Sequence, residues 1–389
     1  MPIINQVVAG SGGSAPQYYL EKTVDANGVL VNTPRVIDLT GVTGIGDSVL
    51  YGAYKGVNFP ANTTISLSPV TLVNGSDACR EMIRLSTNVT TADLSTVTTI
   101  DGSYAFADFA QNNTSITSVD LGGLTTVTGG YACYYAFNNC QYITNINLSS
   151  LTTVGGGSLG NCFSYAFSNV KISSLDLSSL IQVTGYGAFS SAFSNCRLLT
   201  SVDMSSLTTL SGNYSCQTMF SGCVNLTNVN LSSLTSMNSQ NAMAYMFMNC
   251  TGLTSLSFPS LTPTSFGSYT NQFSDMLKNV TGCTVHFPSN IQSTIGSWTD
   301  VTNGFSGTNT TVLFDLPATV TLTGADTVTY TRNPKYDTPT ALAWKVGAYG
   351  TTNFTPAYYT SGTTDPSVSD AIYSDAACTT SVTTISSIA

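Results

Sequence analysis

Residues Leu199–Cys223 read LTSVDMSSLTTLSGNYSCQTMFSGC, and variants of this stretch recur on both sides of it. Segments beginning at Ile116, Ile143, Ile172, Leu226 and Leu253 read ITSVDLGGL, ITNINLSSL, ISSLDLSSL, LTNVNLSSL and LTSLSFPSL. Their pivots Leu94, Leu121, Leu148, Leu177, Met204, Leu231 and Phe258 stand 27, 27, 29, 27, 27 and 27 residues apart. The longer step reflects a two-residue insertion around Gly155-Gly156-Gly157. Two weaker units pivot on Leu39 and Leu67, and a half unit, Thr284–Pro288, ends the array, which makes about nine coils of 27 residues. A fixed period of this length marks a solenoid, in which no unit covers its own apolar side and neighbours must stack.

Within a unit the pattern L-x-x-L-x-L-x-x-L sets apolar side chains at alternate positions of a short strand, which buries one face and leaves the other wet. After a Gly-rich turn the unit closes on Ala136-Phe137-Asn138-Asn139-Cys140, Ala192-Phe193-Ser194-Asn195-Cys196, Met219-Phe220-Ser221-Gly222-Cys223 or Met246-Phe247-Met248-Asn249-Cys250. Phe and Cys three residues apart share one face of a helical turn, so a short helical turn with both side chains inward is expected.

The strand pattern followed by the A-F-x-x-C closure resembles the leucine-rich repeats of the BspA type (Treponema pallidum type), which occur in surface proteins of oral and gut bacteria and some protozoan parasites. The resemblance spans roughly residues 36–290. It implies a leucine-rich-repeat solenoid of short parallel strands and short helical turns, and a role in adhesion. The expected organisation is an attachment or capping segment at 1–35, a solenoid at 36–315 and a small all-β module at 316–389. In the first of these, Asn27-Gly28 within YYLEKTVDANGVLVN signals a hairpin. In the last, TVTLTGADTVTYT and TALAWKVG alternate polar and apolar residues.

Composition narrows the function. The chain holds 11 Lys+Arg, 20 Asp+Glu and one His, a net charge of −9. Charged residues make up 8%, against about 25% in ordinary domains. An acidic chain without basic clusters is a poor partner for nucleic acid. No run of 18 apolar residues occurs, so no membrane-inserted helix is expected. Met1–Gln6 lacks the basic and apolar regions of a cleaved signal, so the chain is expected to stay where it is made or to leave by another route.

Stacking turns each repeat position into a column with neighbours about 4.8 Å apart. The position before each pivot carries Asp93, Asp120, Asn147, Asp176, Asp203 and Asn230, which alternation turns outward. Oxygens at this spacing suit a hard cation or glycan hydroxyls; the alternative is a solvated, hydrogen-bonded ladder, since two exposed like charges at this distance cost only about 1 kcal/mol. Tyr131, Tyr135, Tyr186 and Tyr214 belong to a Tyr-rich second half whose rings either contact a ligand or seal the convex side. The column of Cys140, Cys196, Cys223 and Cys250 reads as buried thiols; disulfide spacing is also open, and zinc would want close Cys pairs or His. His286 is the single imidazole and reads as structural. With no phosphate loop or dinucleotide fingerprint, neither a cofactor nor a catalytic site is expected.

The expected function is therefore non-enzymatic binding to a host cell-surface glycan or protein. The Gly10–Ser14 linker and β tail are similar in style to tail-fibre or appendage proteins of phages infecting gut bacteria, which implies a location on a virion or extracellular surface. A structural protein that assembles with copies of itself is the alternative, and a glycan-degrading appendage working through two carboxylates is a third.

Overall fold

A computed structural model of the chain describes Leu39, residues 41–155 and 159–315. It also gives the backbone of strands Gln6–Val7, Tyr18–Tyr19, Thr319–Leu322, Val328–Thr329, Leu342–Val346, Thr355–Tyr359, Ala371–Tyr373 and Ser381–Ile388. Two compact units emerge, Met1–His286 with Thr294–Val312, and Phe287–Ser293 with Leu313–Ala389.

The first unit contains a parallel-strand solenoid of about ten turns with little helix. The nine coils counted in the sequence and the last half unit at Thr284–Pro288 make up that number. Most coils have two strands, a first-position and a second-position one. The first-position strands form a four-stranded parallel sheet, Asn58–Ser66, Thr87–Asp93, Ser118–Asp120 and Asn145–Asn147, then a three-stranded one, Ser174–Asp176, Ser201–Asp203 and Asn228–Asn230. Ser255–Ser257 pairs in parallel with Thr284–His286. The second-position strands are two residues long and make one uninterrupted sheet of seven, from Gly44–Ile45 to Thr209–Leu210. The register follows the repeat: Asp93 lies opposite Asp120, and Asp176 opposite Asp203.

The closing segment is not a helical turn. Between Tyr104 and Asn112, alternate N–H groups bond three residues back, Ala107 to Tyr104 at 3.0 Å and Phe109 to Phe106 at 3.1 Å. The N–H groups between them donate to the next coil, Phe106 to Ala132 at 2.6 Å, Asp108 to Tyr134 at 2.8 Å and Ala110 to Ala136 at 2.7 Å. Every fourth residue takes a left-handed conformation: Tyr104, Asp108 and Asn112 at φ 55°, 55° and 59°, then Tyr131, Tyr135 and Asn139 at 57°, 54° and 59°. A helical turn would spend its donors within the coil and leave the neighbouring coil's carbonyls unmatched. The turn ribbon divides them, at a cost of roughly 1–2 kcal/mol per left-handed residue, least for Asn, Asp and Gly.

Both expected inward side chains are inward nonetheless. Phe137, Phe167, Phe193, Phe220 and Phe247 form a pile of near-parallel rings, with centroids 5.2, 5.5, 5.9 and 6.0 Å apart. Nine cysteines, from Cys79 to Cys283, are buried and free. Four donate from Sγ to carbonyls of the preceding coil, Cys140 to Ala110, Cys196 to Phe167, Cys223 to Phe193 and Cys250 to Phe220, at 3.1–3.4 Å. Burial pushes the Cys140 and Cys250 thiols up to about 12, which keeps these two protonated at neutral pH. The hydroxyl-rich composition is also used in columns: Thr98, Thr125 and Thr152 each donate from Oγ1 to the carbonyl one coil earlier, at 3.0 Å.

Strands Gln6–Val7 and Tyr18–Tyr19 pair antiparallel; the hairpin expected at Asn27-Gly28 lies outside the described residues. In the second unit six strands form an antiparallel sheet ordered Val328–Thr329, Thr319–Leu322, Ser381–Ile388, Ala371–Tyr373, Thr355–Tyr359 and Leu342–Val346.

Phe193 is fully buried between two parallel rings. Its replacement by Ala is expected to cost about 3–5 kcal/mol through the cavity left behind and to uncouple the flanking coils. A chemical melt read by circular dichroism should show a lower midpoint and a broader transition; an unchanged midpoint contradicts the ring-pile account.

Candidate functional site

The strand face carries the acidic and amide column, and each member has a local task that its sequence neighbour explains. A carboxylate or amide oxygen two residues before a free N–H closes an Asx turn. Here that N–H belongs to the residue after the pivot: Asp120 Oδ1 accepts from Gly122 at 2.9 Å, Asp176 Oδ1 from Ser178 at 2.9 Å, Asp203 Oδ1 from Ser205 at 3.0 Å and Asn230 Oδ1 from Ser232 at 3.2 Å. Asn147 Oδ1 receives both the Ser149 amide at 3.3 Å and its hydroxyl at 2.9 Å. The column therefore ends the strand and starts the turn in every coil.

Beyond that task the column divides. In the first sheet its members are half-buried and tied to one another. Asp93 Oδ2 accepts from the Ser66 hydroxyl at 3.0 Å and Asp120 Oδ1 from Asn147 Nδ2 at 3.0 Å. The Ser95 hydroxyl, 2.6 Å from Asp93 Oδ1, holds that carboxyl below the usual carboxylate range. In the next sheet Asp176 and Asp203 are exposed, in register, and flanked on the same face by Ser174, Ser201 and Asn228. This portion offers oxygens and amides to a partner at solvent level.

The tyrosines line the turn ribbon. Tyr131 lies parallel to Tyr104 at 5.0 Å and Tyr135 parallel to Tyr165 at 4.9 Å, with Tyr134 edge-on to both Tyr131 and Tyr135. The Arg80 guanidinium sits 5.1 Å over Tyr104. Tyr131 and Tyr135 thus each give a ring face to another ring. Tyr186 and Tyr214 form a separate tilted pair at 5.5 Å, and Tyr186 is 56% exposed. One ladder on this side went unread in the sequence: Asn139 Nδ2 donates to Asn112 Oδ1 at 2.8 Å and Asn169 Nδ2 to Asn139 Oδ1 at 2.7 Å. Its sequence signal is an Asn two residues after the inward Phe, as in Phe137-Asn138-Asn139 and Phe167-Ser168-Asn169.

Charged groups concentrate at the two ends of the ribbon. Near its start Glu81 pairs with Lys55 at 2.6 Å and with Arg84, and Arg80 pairs with Asp77 at 2.9 Å. Near its end Asp275 is held low by the Ser306 hydroxyl and by Tyr245. Asp300, in the short helix Thr299–Thr302, has a buried Oδ2 with no hydrogen-bond partner. Burial, with Asp275 nearby, raises its carboxyl to about 6. His286 lies opposite Ser257 on the last paired strand. Among the described residues no three His, Cys, Asp or Glu side chains gather as metal ligands, and no helix is long and apolar enough to cross a membrane.

A family model for the BspA type leucine rich repeat region matches the chain in six copies, over residues 61–163, 82–190, 131–239 and 164–298. Among curated proteins, none matches the chain.

Two measurements check this geometry. Asp93 Oδ1 accepts from the Ser95 amide at 3.2 Å, so Asp93→Ala is expected to cost about 1–2 kcal/mol by opening that Asx turn, whereas Asp93→Asn keeps the Oδ1 acceptor and costs less than about 1 kcal/mol; equal losses in a urea melt would refute the turn role. A raised carboxyl favours its protonated form in the folded state, so the Asp300 contribution is present at low pH and declines as pH rises from 3.8 through about 6. Asp300→Asn should flatten stability across that window and raise it at neutral pH.

Proposed function

The chain belongs to the BspA-type leucine-rich repeat family, and on that premise we propose that it is a non-enzymatic adhesion protein recognising a host cell-surface glycan or protein. Repeats of this kind commonly serve as adhesion and protein-binding modules, and the leucine-rich-repeat solenoid is typically a binding scaffold without catalysis. The observation that carries the reading is the exposed part of the strand face. There Asp176 and Asp203 stand in register with hydroxyl and amide side chains on either side. Lined by short polar side chains in register, such a face suits an extended polar partner. Hydrogen bonds across it gain strength by preorganisation, because the Asx turns already hold both carboxylates in place.

We propose a location on a virion or extracellular surface, the repeat array serving for recognition and the β module as a receptor-binding or assembly unit. The support is the likeness in style of the flanking segments to tail-fibre and appendage proteins.

The test is binding of the full chain to intact host cells and to a glycan array, beside Asp176→Arg and Asp203→Arg. Both positions are exposed and each variant gives up one Asx turn, worth about 1–2 kcal/mol, so the array should stay folded, as circular dichroism would check, while binding falls more than about tenfold, as for the loss of a charge-assisted contact. Undiminished binding by both variants refutes the strand face as the site, and ordered assembly with concentration in place of binding would favour the structural alternative.

A further inference from the structure

The irregular coil does more than lengthen the array. From the third left-handed residue of the ribbon to the next strand there are six residue steps in the coils at Asn112, Asn139, Asn195 and Asn249, but five between Asn169 and Ser174, as again between Asn279 and Thr284 at the end of the array. Val170 follows the Cys140 and Cys196 place, Lys171 falls between Tyr142 and Leu198, and the place occupied by Gln141 and Arg197 has no residue in the coil between them. The shortened corner draws the Lys171 N–H to the Ile143 carbonyl at 2.9 Å. It also coincides with the break between the two strand-face sheets, since Asn145–Asn147 and Ser174–Asp176 are not paired.

The walls of this notch differ from the rest of the surface. Gln141, Tyr142, Lys171, Arg197 and Leu198 are all exposed, Tyr142 at 54% and Leu198 at 50%. The Lys171 ammonium sits 5.1 Å over the Tyr142 ring. Of the described cations, Lys55, Arg80, Arg84 and Lys278 each have a carboxylate within 4.0 Å. Lys171 and Arg197 have none among the described residues, and they occupy neighbouring coils of a chain whose net charge is −9.

From this we infer that the notch is a binding site for an acidic sugar of a glycan chain, with the sugar's carboxylate or sulfate between Lys171 and Arg197. The sign follows from two positive charges on neighbouring coils that have no carboxylate partner among the described residues. A sugar is favoured over an acidic peptide because an exposed aromatic ring, Tyr142, stands on one side of the shortened corner and an exposed aliphatic chain, Leu198, on the other. Those walls meet the C–H face of a single ring, while the guanidinium offers a fork to a planar or tetrahedral anion. The inference rests on the binding role argued above, but it uses neither the strand-face carboxylates nor the tyrosine rows.

Titration calorimetry of the full chain tests it with tetragalacturonate, a sulfated disaccharide, maltotetraose and a tetra-aspartate peptide. The expected result is binding of at least one acidic sugar, none of maltotetraose or tetra-aspartate, and an affinity that weakens strongly as salt rises and screens the contact. Tetragalacturonate and the sulfated disaccharide tell a carboxylate from a sulfate preference. Lys171→Met and Arg197→Met should each weaken binding about tenfold with unchanged thermal melts, because both side chains are exposed. Failure of both acidic sugars to bind, equal binding by the double variant, or equally tight binding of tetra-aspartate overturns the assignment. Asp176→Arg and Asp203→Arg should leave this titration unchanged, so its failure is separable from a failure of the strand face in cell binding.

Discussion

No coil of this protein can complete its own hydrogen bonds. In the strands the partner lies one coil away by construction; in the turn ribbon alternate donors do as well, Phe106 to Ala132 and Phe137 to Ala166 being two rungs among many. Once the backbone is committed to neighbours, side chains at equal positions fall into contact whatever their chemistry. Phenyl rings pile up, threonine hydroxyls reach the preceding carbonyl, asparagines link amide to amide, and thiols find carbonyls. Stability then comes from repetition of short-range contacts, which explains how a chain with 8% charged residues has few ion pairs among the described residues of its solenoid.

The ladder also accounts for the left-handed residues. Asn112, Asn139 and Asn169 bear the positive φ with little strain, and their amides join across coils. Tyr104, Tyr131, Tyr135 and Tyr165 bear it at higher cost, and their rings recover part of that cost by stacking on one another. The aromatic character of the ribbon is thus partly a consequence of its backbone. Tyr186, beside the left-handed Gly187 rather than in the left-handed place itself, escapes the parallel stack and remains exposed.

The period, the inward Phe and Cys and the outward Asp column were all legible in the sequence, because each depends on spacing alone. The form of the closing segment was not. Phe and Cys three apart point the same way in a helical turn and in a turn ribbon, so inwardness cannot separate them. What separates them is the four-residue recurrence of Asn, Asp and Gly, as at Asp108 and Asn112 or Gly187 and Asn195, and tyrosine at the equivalent places of other coils obscures it. The Asx role of the column was present in the pairs Asp120 with Gly122 and Asp203 with Ser205, two residues apart. The raised carboxyl of Asp300 had no sequence signal, since its burial and its proximity to Asp275 arise only when the last coil is capped. The shortened corner at Val170-Lys171 was hidden for another reason: the insertion near Gly155 outweighs it in the net step of 29 residues.

That bookkeeping of length has a genetic reading. Every ladder in the solenoid joins residues a whole repeat apart, so unequal exchange between two repeats in the gene that adds or removes one complete coil leaves every rung intact. A slip of one residue inside a strand would instead turn its buried face outward. The coil between Leu148 and Leu177 keeps its changes to the turns, near Gly155 and at Val170-Lys171, and the last step, Ser257 to His286, is likewise 29 residues long with its strand pairing kept. Arrays built this way are free to lengthen or shorten by recombination, and new surface chemistry enters them first at the corners.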